Sequence, residues 1–174
     1  MRPGRRKALA LGAVAAAAAV GGAFVGALVV QSGSGAARLL SASFLDLEGR
    51  TRRLREWRGQ VLVCNFWATW CAPCREEVPL LVAATQHYAG KGLKIIGIAI
   101  DHADNIRDFA INYLINYQML VGGSETIEIM RDLGNKATAL PYTVLLDRSG
   151  RLAGQRLGAF RKEELAQVLM GLLR

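Results

Sequence analysis

The sequence predicts an α/β fold with a mixed central β-sheet sandwiched by helices, and three observations lead to this class. Val61–Trp67 is a nearly continuous apolar run, which is typical of a central strand buried on both faces. A second such run, residues 93–100, follows after a helical segment, and strand–helix–strand order implies parallel pairing with a right-handed crossover. Near the C-terminus, a β-hairpin and a final helix add antiparallel strands.

The other elements follow from local sequence patterns. Residues 44–54 are predicted to form a short hairpin. The first long helix begins near Pro73, because a first helical turn tolerates proline, and Pro79 should kink it. The later predicted elements are a helix capped by Asp104 or Asn105 that continues to Leu114, a strand over residues 117–121, a helix from Ser124 to near Gly134, strands over residues 142–147 and 151–157, and an amphipathic helix over residues 160–173.

The N-terminus predicts a membrane segment. Residues 8–30 are apolar and uncharged, and a helix of this length spans a bilayer core of about 30 Å. The basic residues before them orient the N-terminus to the cytoplasm. We expect residues 1–30 to form a basic flank and a signal anchor or transmembrane helix, residues 31–42 a linker and residues 43–174 the folded domain. The expected location is the bacterial inner membrane, single-pass, with the domain in the periplasm. A cleaved signal peptide, with secretion to the periplasm, remains the alternative.

The charge pattern argues against a nucleic-acid-binding protein. The formal charge is +8, but four of the 22 Lys and Arg residues precede the apolar stretch, and the remaining 18 face 14 acidic residues. A local cluster of arginines within residues 50–58 has two acids, Glu48 and Glu56, mixed into it and has no aromatic ladder. We interpret this cluster as a solvated hairpin and loop, and an acidic partner surface or lipid head groups remain alternatives.

The candidate chemistry lies in Cys71 and Cys74, which are placed at the junction of a buried strand and a helix N-terminus. Unpaired amides and the helix macrodipole stabilise a thiolate at this position, and the thiolate is the nucleophile in disulfide exchange. A lone C-x-x-C also resembles half of a zinc site, but the further ligands, His87 and His102, lie far along the chain. We therefore predict no metal and no cofactor. Cys64 is expected to be a small core residue.

The segment from Asn65 to Cys74 resembles the active-site segment of the thioredoxin superfamily. It is most similar to the membrane-anchored TlpA-like branch, which includes ResA and the cytochrome-c-maturation thioredoxins. The resemblance runs from about Ser43 to the C-terminus, and the hairpin of residues 44–54, Gly59 and the Leu140-Pro141 pair match the layout of this branch. It implies a thioredoxin-like fold and a thiol–disulfide oxidoreductase.

The resemblance also assigns supporting residues to the dithiol. Pro141 matches a cis-proline that faces the two cysteines, and Leu140 would offer backbone groups to a bound peptide. Asn65 replaces the buried aspartate of cytoplasmic thioredoxins, which is typical of the TlpA-like branch. Glu77 matches a glutamate that the ResA-like members use near the dithiol, and we expect it to influence thiol ionisation and substrate handling. The alternative is an acid on the helix surface. Trp70 is expected to shield the dithiol and shape the partner surface.

The function that this resemblance implies is a periplasmic-side protein disulfide reductase. Its electrons would come from a membrane partner of the DsbD or CcdA type. Its clients would be protein thiols and disulfides such as those of apocytochrome c or of a copper-site protein. The Ala72-Pro73 pair differs from the His-containing pairs of strong oxidants, which favours reduction. A general disulfide oxidase or isomerase, a peroxidase and a Cu(I)-binding chaperone remain the alternatives.

Overall fold

The computed structural model describes residues 35–174. The expected signal anchor, residues 1–30, and the first part of the expected linker, residues 31–34, lie outside the described residues. Within residues 35–174, no helix combines the length and the apolar character that a membrane span requires.

The centre of the domain is one seven-stranded sheet. Its strands are β1 (Ser43–Asp46), β2 (Thr51–Arg53), β3 (Val61–Trp67), β4 (Leu93–Ala99), β5 (Gln118–Val121), β6 (Tyr142–Leu146) and β7 (Leu152–Leu157). Their order in the sheet is β2-β1-β5-β4-β3-β6-β7. The strand β3 pairs in parallel with β4, and β4 with β5, whereas β1, β6 and β7 add antiparallel pairs. The predicted mixed sheet is therefore confirmed.

Helices cover both faces of this sheet, as predicted. They are α1 (residues 35–41), a 3-10 turn η1 (Leu54–Trp57), α2 (Ala72–His87), α3 (Ala103–Asn112), α4 (Ser124–Asp132) and α5 (Lys162–Leu172). The helix α2 continues through Pro79 to its end at His87. The cap of α3 differs from the prediction: His102, not Asp104 or Asn105, is its N-cap.

The strand β3 separates two layers of the core, because side chains of a strand point alternately to opposite faces. Cys64 and Phe66 belong to the cluster that includes α1 and α4. Val63 and Trp67 belong to the cluster that includes α2, α3 and α5. The thiol of Cys64 therefore faces away from the helix that carries the other two cysteines.

The expected linker over residues 31–42 is wrong for its described part. Residues 35–41 are helical, and Leu39 is fully buried in the core. Gly35 packs closely against the backbone of Asp132, and Arg38 forms an ion pair with the Asp132 carboxylate at 2.6 Å. The physical reason is an apolar helical face that packs on α4, so the folded domain begins by residue 35 rather than at residue 43.

Replacement of Leu39 by alanine tests this boundary. Because Leu39 is fully buried, we expect Leu39→Ala to lower the free energy of unfolding by about 2–5 kcal/mol, measured by urea denaturation. Ala37 is exposed on the same helix, so Ala37→Ser should change it by no more than about 0.5 kcal/mol. Equal stability of Leu39→Ala and the unchanged protein would show that α1 contributes nothing to the domain.

Candidate active site

The dithiol lies where β3 turns into α2. Cys71 is the N-cap residue of α2, and Cys74 lies in its first turn. The two residues form a disulfide, with Cα atoms 5.3 Å apart. Cys71 is 7% exposed and Cys74 is 2% exposed, so Cys71 is the more accessible residue of the pair. This order fits Cys71 as the residue that attacks a client.

The start of α2 favours a thiolate at Cys71. Its first backbone N–H groups have no partners within the helix, and the macrodipole adds partial positive charge there. Pro73 occupies the first turn, as predicted, where its missing N–H removes no helical hydrogen bond. The first turn contains no acidic side chain whose negative charge would offset the partial positive charge of the helix N-terminus.

The loop between β3 and Cys71 exposes an aromatic surface. Trp70 is 69% exposed, although it directly precedes the nearly buried Cys71. An exposed tryptophan beside a reactive sulfur supplies a large apolar contact for a partner protein. Trp70 is thus accessible to a partner, and its role in a partner surface stays a prediction.

Asp101 holds this loop from the side of β4, and it is not among the residues that the sequence predicts for the site. Thr69 donates its hydroxyl hydrogen bond to the Asp101 carboxylate, which also accepts bonds from the His102 amide and the Asn105 side chain. Burial raises the pKa of Asp101, but these hydrogen bonds outweigh it and leave the pKa below its ordinary value. The sequence could have indicated Asp101, because the parallel strands β3 and β4 end at the same edge of the sheet and the residues that follow them lie close together.

The Leu140–Pro141 peptide bond is cis, as expected. Pro141 directly precedes β6, whose first residue, Tyr142, pairs with Phe66 near the end of β3. The cis bond therefore lies at the same end of the sheet as the dithiol. Leu140 is half-buried and packs against both core clusters.

Glu77 is buried, which rules out the alternative of a helix-surface acid. It is 2% exposed, and its two carboxylate oxygens accept hydrogen bonds from the Phe160 amide at 2.8 Å and the Asn65 side chain at 3.0 Å. Asn65 also donates to the Thr143 hydroxyl at 2.9 Å. Burial raises the pKa of Glu77, and the two hydrogen bonds offset part of this rise. The carboxylate links α2, β3 and the segment before α5 one helical turn after Cys74.

The remaining cysteine has no place in this site. Cys64 is fully buried with a free thiol, and burial raises its pKa. A protonated, inaccessible thiol does not take part in exchange, so the structure confirms Cys64 as a core residue. Among residues 35–174, no group of three or more His, Cys, Asp or Glu side chains is arranged to hold a metal ion.

Comparison with known proteins gives a consistent result. Residues 36–155 match the model of the AhpC/TSA family. The chain is 32% identical over 127 residues to the thiol-disulfide oxidoreductase ResA of Bacillus thuringiensis subsp. konkukian (strain 97-27), covering 71% of this chain and 70% of that protein. It is 29% identical over 134 residues to the thioredoxin-like protein YneN of Bacillus subtilis (strain 168), covering 73% and 74%.

The fold is shared with solved structures. A thiol:disulfide interchange protein of the thioredoxin family from Chlorobium tepidum TLS superposes with a TM-score of 0.70 at 26% identity, covering 77% of this chain and 94% of that one. A secreted thiol-disulfide isomerase from Corynebacterium glutamicum gives a TM-score of 0.69 at 25% identity, covering 78% and 84%. The fold is therefore thioredoxin-like, as the sequence predicts.

Replacement of Glu77 by glutamine tests the role of the buried carboxylate. A pKa that is raised on folding means that Glu77 contributes most stability below its unfolded pKa and loses it as pH rises through its folded pKa. We therefore expect the free energy of unfolding of the unchanged protein to fall, relative to that of Glu77→Gln, across this window. Removal of a nearby negative charge should also lower the pKa of the reduced dithiol.

Denaturation at a series of pH values and thiol titration of the reduced protein measure these two effects. Glu76 is the matched control, because it is the adjacent acid on the same helix and is exposed. Glu76→Gln should leave both profiles unchanged. Thiol pKa values that stay constant in Glu77→Gln would contradict any role of this carboxylate in thiol ionisation.

Proposed function

Because this chain belongs to the AhpC/TSA family and has a thioredoxin-like fold, we propose that it is a protein disulfide reductase on the periplasmic side of a bacterial inner membrane. The family and the relatives make it a thiol–disulfide oxidoreductase. The observation that carries the proposal is the Cys71–Cys74 pair at the N-terminus of α2, at the same sheet end as a cis-proline.

The geometry supports a two-step exchange that starts from the reduced dithiol. The Cys71 thiolate attacks one sulfur of a client disulfide, whose S–S bond breaks, and the client sulfur that leaves takes a proton. Cys74 then loses its proton and attacks the Cys71 sulfur of the mixed disulfide. The second client thiol is released, and two electrons have passed from the dithiol to the client. The product is the Cys71–Cys74 disulfide that the structure contains.

Each supporting residue has a role in this cycle. The positive end of α2 stabilises Cys71 as nucleophile and leaving group. Glu77, one turn beyond Cys74, is the group that influences proton movement at the inner thiol. Leu140 offers its backbone to the client next to the cis bond, and Trp70 contacts the client through its exposed ring.

The direction and the partners of the reaction belong to the same proposal. An oxidising compartment such as the periplasm requires a supply of electrons, and we assign this supply to a membrane donor of the DsbD or CcdA type. The clients that we propose are the haem-site thiols of apocytochrome c and the copper-site thiols of an oxidase subunit. The apolar sequence of residues 8–30 supports a single membrane anchor.

A peroxidase is the weaker alternative. That chemistry would place a threonine three residues before its reactive cysteine, whereas Thr69 lies two residues before Cys71. The hydroxyl of Thr69 is engaged by Asp101 rather than directed to a sulfur, and the oxidised form is an internal C-x-x-C disulfide. These contacts favour exchange with protein disulfides.

A Cys74→Ala variant should trap the client. With the resolving thiol removed, the mixed disulfide through Cys71 has no internal route of release and accumulates. Mass spectrometry of the trapped species identifies both the client and the linking cysteine. Cys64→Ala is the control, and because its thiol is buried we expect exchange rates within about twofold of the unchanged protein. Trapping through any cysteine other than Cys71 would refute the assignment.

The reduction potential separates a reductase from a general oxidant. We expect the Cys71–Cys74 pair to have a potential below about −200 mV, closer to thioredoxin at about −270 mV than to the strong oxidant DsbA at about −120 mV. Equilibration in defined thiol buffers measures it. A Pro73→His variant should raise the potential, because a histidine at this helix end stabilises the reduced thiolate. A potential near −120 mV in the unchanged protein would indicate the oxidase alternative.

A further inference from the structure

The end of the sheet opposite the dithiol carries a cluster of cations, here called the basic pole. It consists of side chains from three separate segments: Arg55, Arg58, Lys91, Lys94, Arg148 and Arg151. Five of the six are exposed, and Lys94 is half-buried. The redox cycle uses none of them.

Backbone hydrogen bonds bring the three segments together. The Gly59 amide donates to the Arg148 carbonyl at 3.0 Å, and the Val61 amide donates to the Gly92 carbonyl at 2.8 Å. The Arg58 guanidinium donates to the Ser149 carbonyl at 3.0 Å. All these contacts lie at the beginning of β3, whereas the dithiol follows its end. A strand of this length separates the two ends by about 20 Å.

Among the described residues, only one of the six cations of the basic pole, Arg151, forms an ion pair with an acidic side chain, which is that of Asp147. The carboxylate of Glu56 accepts hydrogen bonds from the Arg53 amide and the Arg52 guanidinium, and that of Asp147 is occupied by Ser149 and Arg151. In the part of the chain that the structure describes, no ion pair within 4 Å involves the other five cations of the pole. Arg148 donates to the main-chain oxygens of Leu173 and Arg174, each at 3.4 Å.

The chemistry of the basic pole fits a phosphate surface better than a protein surface. Protein interfaces depend on aromatic and apolar anchors that become buried. Among the described residues, none of the exposed large apolar side chains lies in the three segments of the pole. The one aromatic residue there, Trp57, is buried, with Arg52 and Lys94 over its ring at 5.0 and 5.4 Å. Dispersed cations without apolar anchors are what anionic lipid head groups attract.

The first described helix, α1, contacts the turn of the basic pole. Leu40, in α1, packs against Gly150 in the turn that carries Arg148 and Arg151. Gly35 precedes Leu40 by five residues, so it lies about 7.5 Å from Leu40 along the axis of α1. Only a few residues separate this point from the apolar stretch that ends at Val30.

We propose that the basic pole binds anionic phospholipid head groups and holds the domain on the bilayer with the dithiol facing away from it. This inference rests on the proposed membrane location for its setting. The charge argument does not require that residues 8–30 remain attached as an anchor. The dithiol would then be presented to clients at about the height of the sheet above the lipid surface.

Hydrogen exchange of the full chain in lipid nanodiscs tests the proposal. The protein is placed in discs of phosphatidylcholine alone and in discs with half phosphatidylglycerol, at 50 and at 500 mM NaCl. We expect amide exchange in residues 55–60, 91–94 and 147–151 to slow at least about threefold in the anionic discs at low salt. High salt should abolish the difference, because it screens exposed charges beyond about 3–5 Å.

A matched pair of double variants separates the basic pole from net charge. The Arg55→Glu/Lys91→Glu variant alters two exposed side chains of the pole that take part in no ion pair among the described residues. The Lys136→Glu/Lys162→Glu variant makes the same charge change at two exposed positions outside the pole. Slower exchange in anionic discs should be lost in the first variant and retained in the second.

The outcomes distinguish this inference from the proposed function. Equal exchange in both kinds of disc, or equal protection in both double variants, overturns the lipid contact. Protection of the same segments by added polyglutamate in neutral discs, with none in anionic discs, would overturn it in favour of an acidic protein partner. Release of the chain from the discs at high salt would refute the anchor alone, and low-salt protection would still support the basic pole.

Discussion

Every residue of β3 is buried, so both faces of this strand need cover, and that requirement organises the rest of the domain. One face packs against α2, α3 and α5, and the other packs against α1 and α4. Because β3 and β4 are parallel, the connecting helix α2 must cross over the sheet. The chain therefore turns sharply where β3 ends, and this turn places Cys71 at a helix N-terminus. The position of the Cys71 thiol at a helix N-terminus therefore follows from the crossover connection that parallel strands require.

Two polar groups support this turn from opposite sides. Asp101, at the end of β4, holds Thr69 in the loop before the cysteines. Glu77 holds α2 to Asn65 of β3 and to the segment that leads into α5. Burial of a carboxylate is unfavourable unless its oxygens are hydrogen-bonded, and both oxygens of Glu77 are. The site thus combines a stabilising hydrogen-bond network with a group whose ionisation opposes folding, which is an arrangement typical of functional sites.

The two ends of the parallel strands have different surfaces. The carboxyl end presents the dithiol, the cis-proline and an exposed tryptophan, while the amino end presents the cations of the basic pole. Since the length of β3 separates them, a contact at one end leaves the other free. The proposed lipid contact and the proposed client contact therefore do not compete for the same surface. The basic pole and the dithiol lie at opposite ends of β3.

Local pattern accounts for what the sequence by itself determined about this protein. The α/β class, the order of the strands and helices, the dithiol at a strand–helix junction and the buried Cys64 all follow from apolar periodicity and turn residues, which depend on near neighbours. The prediction of a cis bond at Pro141 rested on the resemblance to a known family rather than on local pattern. Element ends differed by a few residues, as at α3, whose N-cap is His102 rather than Asp104 or Asn105.

Only the tertiary structure decided which polar residues are buried and which segments join the core. Glu77 follows the exposed Arg75 and Glu76 on the same helix, and its burial depends on the Phe160 amide, 83 residues away. Residues 35–41 look like part of a tether in isolation, but α4 supplies the surface on which they fold. The basic pole likewise joins three distant segments. Contacts between segments far apart in sequence arise from packing, and local periodicity carries no record of them.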